Sequence, residues 1–260
     1  MGAVRLTSND NTKRFTDRVD EYVRYRPGYP QEALDYLYTM VGFRADSTIA
    51  DIGAGTGILS AHLLERGSRV IAVEPNDAMR QAAEALLGSD PNYVSASGSA
   101  EQTGLDDQSV DYIVCAQSFH WFDRAKAHAE FKRILRPGGR VVLLWNSRLV
   151  QGTPFREEIE RLLEEYGVDY KQVRHKNIAP EALEKFLNGG EMRVARFPHH
   201  QLLDLQGLRG RLMSSSYVPL QGHPNHEPMM RELDRIFERH ERDGYISFDY
   251  ETEVYDGSLA

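Results

Sequence analysis

The chain has 260 residues, of which 27% are charged and 41% hydrophobic, and its net charge is -8 with no basic cluster. That length fits one large α/β domain with an insertion, and the acidic balance disfavours a general phosphate-binding surface and nucleic acid as the main substrate. Cys115 is the only cysteine, so neither a disulfide framework nor a thiolate metal site is expected. Residues 1–14 are polar and predicted to be loose. Across 15–30, Tyr22, Tyr25 and Tyr29 alternate with Arg18, Arg24 and Arg26, while Pro27 and Pro30 break any helix. Residues 31–41 read as a helix with Leu34, Leu37, Tyr38 and Val41 on one face. The apolar run 47–52 reads as a buried strand, followed by a turn holding Gly53, Gly55 and Gly57 and then a helix through Ile58, Leu59, Leu63 and Leu64.

A second strand is expected at 69–73, a helix at 78–87, a third strand at 93–96 and a fourth at 110–116. Cys115 falls in that fourth strand as a core residue. Residues 124–135 form an amphipathic pattern stopped by Pro137, Gly138 and Gly139, ahead of a central apolar strand at 141–145. Asn146, Ser147 and Arg148 are expected at the carboxyl end of that strand. Beyond 150 come a helix at 155–166 with a glutamate-rich wet face, a short helix at 181–188, and strands at 194–205 and 245–255. The last two flank a mostly helical stretch, 207–242.

The glycine turn carries the chemistry. Glycine accepts positive φ and lets a ligand approach the backbone, and the helix behind the turn offers free N–H groups to an anion. The spacing is G-x-G-x-G, whereas a dinucleotide fingerprint would want its third glycine at Ile58. Asp51, two residues ahead of Gly53, would repel a pyrophosphate but suits a ligand carrying an ammonium and a sulfonium. Glu74 ends the second strand about 20 residues on, where a carboxylate accepts ribose hydroxyls. No arginine stands beside it to take a 2′-phosphate.

In these stretches the sequence resembles the class I S-adenosylmethionine-dependent methyltransferases. Asp51 to Gly57 looks like their first motif, and Glu74, Pro75 and Asn76 like the acidic end of their second strand. Ser97, Gly98, Ser99, Ala100 and Glu101 are similar to the adenine-side loop, and Leu135 to Arg140 to the loop before the fifth strand. The likeness covers roughly residues 15–150. It implies an α/β, Rossmann-like, seven-stranded mixed sheet with helices on both faces and a helical insertion before the last strand. The implied divisions are a lid segment (1–30), a cofactor-binding core (31–150), and a part completing the sheet with an acceptor-side cap (151–260).

The implied cofactor is S-adenosyl-L-methionine, held by Asp51, Gly53, Ala54, Gly55, Thr56, Gly57, Glu74 and Pro75. Ala100 N–H, the Glu101 carboxylate and Ser99 are expected at the adenine, although Glu101 also reads as an ordinary surface acid. Met79 either touches the adenine or fills core. Gln117, through its carbonyl, is expected at the cofactor's ammonium, with Ser118 and Phe119 nearby. The stretch before the first motif often closes over the site in this family, giving Tyr22 and Arg26 to the cofactor and Tyr25 to the acceptor. A plain surface helix is the other reading.

Residues 117–122 fall where open α/β sheets bind ligands. The Asn/Asp-Pro-Pro-Tyr/Phe pattern of base-amino methylation is absent there. His120 reads either as a general base or as a packed histidine. Phe119, Trp121 and Phe122 are core, acceptor wall or partners for the sulfonium. Arg148 forms a salt bridge or holds an anionic acceptor, and Ser216 and Tyr217 are candidates for the roof of the acceptor pocket. His199, His200, His223 and His226 lack metal-site spacing.

The function expected is methyl transfer to a small-molecule oxygen, carbon or carboxylate. The alternative is a non-catalytic binder of S-adenosylmethionine or S-adenosylhomocysteine, and the glycine spacing disfavours a nicotinamide-dependent oxidoreductase. No signal-peptide-like or bilayer-length apolar run appears, so a cytoplasmic monomer or homodimer, with no membrane or nucleic-acid partner, is expected.

Overall fold

The computed structural model describes residues 16–171, 178, 180–187 and 192–259. The loose stretch expected at 1–14 lies outside the described residues. These form a seven-stranded sheet: β1 (Thr48–Ile52), β2 (Arg69–Val73), β3 (Tyr93–Ala96), β4 (Val110–Ala116), β5 (Leu135–Arg148), β6 (Arg193–Leu203) and β7 (Ile246–Gly257). The spatial order is β3-β2-β1-β4-β5-β7-β6. β3, β2, β1, β4 and β5 run parallel to one another, while β7 runs antiparallel to both β5 and β6.

Successive side chains on the inner strands go to opposite faces. Ile49, Val114, Val142 and Leu144 join one core with Leu37, Leu59 and Leu63. Ala50, Ile52, Ile113, Cys115, Leu143 and Trp145 join the other with Phe131 and Phe186. A strand buried on both sides cannot alternate with polar residues, which is why these stretches read as continuous apolar runs. Cys115 is fully buried and free.

The helices are α1 (Val19–Tyr25), α2 (Gln31–Tyr36, continued by a π turn over Leu37–Val41), α3 (Ile58–Glu65), α4 (Asp77–Leu87), α5 (Arg124–Ile134), α6 (Pro154–Tyr166), α7 (Pro180–Phe186), α8 (Leu205–Met213) and α9 (His226–His240). Side-chain caps open several of them: Asn76 accepts from Met79 N–H, Asp123 from Lys126 N–H and Asp204 from Gly207 N–H. A third core joins α6, α8 and α9 to Leu203, Ile246, Phe248 and Tyr250 of the last two strands.

β5 is longer than the apolar run 141–145. Its register with β7 runs from Val141 to Arg148, and Val110 pairs with Leu135 across a bulge in the β4 ladder. Asn146, Ser147 and Arg148 are therefore the last three residues of the strand, at its carboxyl end as expected. Among the described residues no helix is long and apolar enough to cross a membrane.

Candidate functional site

β1 has β2 on one side and β4 on the other, and both connections leave from carboxyl ends. The sheet changes winding direction there, and such a switch point opens a crevice. Two adjoining cavities occupy it, sharing Tyr22, Gly53, Ala116 and Gln117. The larger, about 780 Å³ and open to solvent, is lined by Glu74, Pro75, Met79, Ser99, Ala100 and Glu101 with Ser118, Trp121 and Phe122. The smaller, about 490 Å³, is lined by Arg26, Tyr29, Asp51, Ala54, Asn146 and Arg211 among others.

The turn between them is built by its glycines. Gly53, Gly55 and Gly57 all have positive φ, at 70°, 59° and 82°. A Cβ on Gly53 would stand 2.6 Å from Ser118 Cβ, so the turn lies hard against the end of β4. Gly55 faces the larger cavity, where a Cβ would project between Met79 and Tyr22. Gln117 has φ of 61° without being glycine, an uncommon and strained conformation at the point where the cavities meet.

The two acids are held differently. Asp51 is fully buried, and Ser60 Oγ donates to its Oδ2 at 2.7 Å. Its Oδ1 has no hydrogen-bond partner among the described residues. Burial pushes this carboxyl up to about 7, with the nearby Glu74 charge adding to the rise and the Ser60 bond opposing it. Glu74 accepts from Gly55 N–H at 2.9 Å and from Asn76 N–H at 2.8 Å, one bond per oxygen. Burial raises its pKa while those two bonds pull it down. Each oxygen keeps a lone pair toward the larger cavity, enough to accept hydroxyl donors.

Arg26 and Arg211 line the smaller cavity from opposite ends of the chain. The Arg26 guanidinium lies 4.7 Å from the centre of the Tyr22 ring and donates to Ser214 O. Burial, then the charge of Arg211, lowers its pKa. Arg211 donates to Tyr250 Oη at 2.7 Å and to Ser215 Oγ at 3.1 Å.

Tested against a ligand with an ammonium, a sulfonium, a carboxylate, a ribose and a purine, these residues fit. An orphaned buried carboxylate oxygen suits the ammonium, Arg26 suits the carboxylate, Glu74 suits the ribose, and the glycine cradle admits the ligand's body. The sequence matches known proteins in the same sense. Residues 50–143 match the family profile described as a methyltransferase domain. An uncharacterised methyltransferase-like protein of Schizosaccharomyces pombe is 30% identical over 227 residues, covering 86% of each chain.

The chain belongs to the class I S-adenosylmethionine-dependent methyltransferases. An uncharacterised methyltransferase of Mycobacterium tuberculosis is 45% identical over 139 residues, and the matched part is about half the length of each chain (54%). A solved protein of Anaeromyxobacter dehalogenans, provisionally assigned as a type II methyltransferase, has the same fold. It superposes with a TM-score of 0.67 at 23% identity, covering 90% of this chain and 98% of that one.

Within this methyltransferase fold, several residues expected in the site stand elsewhere. Phe119 is fully buried in the core beside Phe186, Phe122 and Trp145. His120 lines neither cavity; its ring lies against Trp121 with centroids 4.5 Å apart. The cause is the tight 3-10 turn Phe119–Trp121, which fans consecutive side chains in different directions, so Trp121 and Phe122 take the cavity wall.

Arg148 is held by Glu160 and Tyr170 and stays out of both cavities. Tyr25 points at α8, where a Cβ on Gly210 would overlap its ring. Tyr22 and Arg26, four residues apart and so on one face of the turn, take the cavity instead. Tyr217 packs on Tyr170 at 4.8 Å between centroids, and neither it nor Ser216 lines either of the two cavities. Thr56 is buried and Gly57 abuts Leu87 of α4; both shape the turn from behind. Glu101 lines the larger cavity while its Oε1 caps Asp123 N–H at 2.8 Å.

Arg211 and Tyr29, with Pro27, Ile58, Leu59 and Ala116, also line the cavities without being expected there from the sequence. Arg211 carried a readable signal: it shares a helix face with Leu208 and Leu212, and a charge on a buried face asks for a reason.

Proposed function

We propose that this chain takes S-adenosylmethionine into the two joined cavities and passes its methyl group to a small-molecule acceptor. The observation carrying the reading is Asp51 Oδ1, an acid oxygen with no donor of its own beside the glycine turn, in a chain whose family uses a doubly cationic cofactor. On this reading Asp51 and Gln117 receive the ammonium, Arg26 the carboxylate, and Glu74 the ribose hydroxyls. Pro75, Met79, Ala100 and Glu101 surround the adenine.

When bound, the cofactor supplies a methyl group already activated on sulfonium. The residues are left with alignment and exclusion of water, and alignment alone is worth about 7–11 kcal/mol in well-oriented systems. Tyr22 spans both cavities, and Trp121 and Phe122 line the larger one, where aromatic rings attract a cation. An acceptor whose attacking atom is already anionic needs no base. His120's position outside the cavities favours such an acceptor over one that must surrender a proton to imidazole.

The test is calorimetric titration with S-adenosylmethionine and S-adenosylhomocysteine, followed by transfer of labelled methyl into a metabolite extract. Binding of both and a labelled small product are expected. Failure of either ligand to bind removes the reading, and binding without any transfer leaves a sensor of methyltransferase fold.

A further inference from the structure

Arg211 is 6% exposed, lines the smaller cavity together with Asp51 and Arg26, and makes its hydrogen bonds only to neutral groups. Its Nε and Nη1 donate to Tyr250 Oη and Ser215 Oγ, its charge lies 5.5 Å from the centres of the Phe248 and Tyr250 rings, and Nη2 has no hydrogen-bond partner among the described residues. Arg26, in the same cavity, has a buried Nε without a partner. Neither guanidinium forms an ion pair with a described carboxylate. A charge withdrawn from water without an opposite charge is costly, so two of them in one cavity imply anions that arrive from outside.

The cofactor supplies one anion only. Taking the proposed function as given, its carboxylate and Asp51 face four positive groups: Arg26, Arg211, the ammonium and the sulfonium. Glu74 is engaged in the adjoining cavity. A positive excess remains on the side built from α8. The same field is felt outside the cavity: burial would raise the phenol of Tyr217, yet Arg211, Arg148, a hydrogen bond with Ser215 and Arg26 together hold it below its ordinary range.

We propose that Arg211 anchors an acceptor subsite for a small organic acid, its guanidinium taking a carboxylate of the acceptor. A planar fork that is already oriented by Tyr250 and Ser215 is suited to bidentate contact with a carboxylate. The subsite belongs to the part of the chain beyond β5, which explains why the glycine-turn motifs give no hint of it.

The experiment has two stages. S-adenosylhomocysteine is titrated first, and the saturated complex is then titrated with acetate, succinate and citrate beside acetamide and succinamide. At least one acid is expected to bind, with any matching amide about tenfold weaker or worse. In Arg211→Leu the acid's affinity falls roughly thirtyfold or more, while that for S-adenosylhomocysteine changes by less than about threefold.

Three results overturn the proposal: S-adenosylhomocysteine binds but no acid does, acid and amide bind alike, or Arg211→Leu weakens S-adenosylhomocysteine as much as the acid. No binding of S-adenosylhomocysteine also brings down the underlying reading, so the two failures separate at the first titration. If Arg211→Leu does not fold, Arg211→Lys carries the test, because it keeps the charge but loses the fork. A loss of about fivefold or more for the acid at unchanged S-adenosylhomocysteine affinity is then expected, and equal affinity for the acid refutes the subsite.

Discussion

Asp51→Asn removes a charge that the fold buries completely while leaving an oxygen to accept the Ser60 hydroxyl. The carboxyl ionises near 3.8 in the unfolded chain and about 7 in the folded one. Between those values the folded chain holds a proton that the unfolded chain lacks, so its stability falls as pH rises. At about 1.4 kcal/mol per pH unit, the full interval amounts to about 4 kcal/mol, and water in the adjoining cavity reduces it. The variant should therefore gain about 1–3 kcal/mol more over the native chain near pH 8 than near pH 5.

Urea unfolding followed by tryptophan fluorescence at both pH values measures this gain. Cofactor binding should move the opposite way. An ammonium beside Asp51 favours its ionised form, so wild-type binding of S-adenosylhomocysteine releases part of a proton and tightens as pH rises toward about 7. Calorimetry in buffers of different ionisation heat counts that proton. Identical pH dependence of stability in variant and wild type would refute the argument, as would proton release that persists in Asp51→Asn.

Glu74→Gln should weaken S-adenosylhomocysteine about ten- to a hundredfold, since charge-assisted bonds are worth about 1.5–3 kcal/mol. An unchanged Kd by calorimetry would show that the ribose lies elsewhere. Arg148→Met removes the guanidinium that donates to Glu160 and Tyr170 and should cost about 1–3 kcal/mol of stability in urea. S-adenosylhomocysteine affinity should stay within about twofold, and loss of binding at unchanged stability would return Arg148 to the site.

The inner strands could be read from the sequence because burial on both faces leaves mostly apolar residues there; β2 and β4 match the expected 69–73 and 110–116. The extension of β5 could not, because it depends on β7 offering a partner as far as Tyr250 for Arg148, a pairing over about a hundred residues that no local propensity reports. The glycine turn was legible for a local reason: three positive φ values demand that residue type. Which ring of Phe119, His120 and Trp121 meets the cavity was not, since rotation of a 3-10 turn by one residue exchanges them. Of the two readings of Arg148, the salt bridge is the one found, but its partner could not be named, because Glu160 sits on another element, α6, and only the folded chain brings them together.

Arg18 donates to the carbonyls of Met213, Ser215 and Val218, and Arg26 to that of Ser214. Two guanidiniums near the beginning of the chain thereby clasp one short span almost two hundred positions later. Tyr22 and Arg26 on one side of the clasp, and Arg211 on the other, belong to walls of the same hollow. Any widening of that hollow that parts these walls must break several charged hydrogen bonds together, so the two walls should yield as a unit or not at all. Cleavage of the chain between Arg18 and Arg26 would therefore loosen a wall encoded at the far end of the sequence.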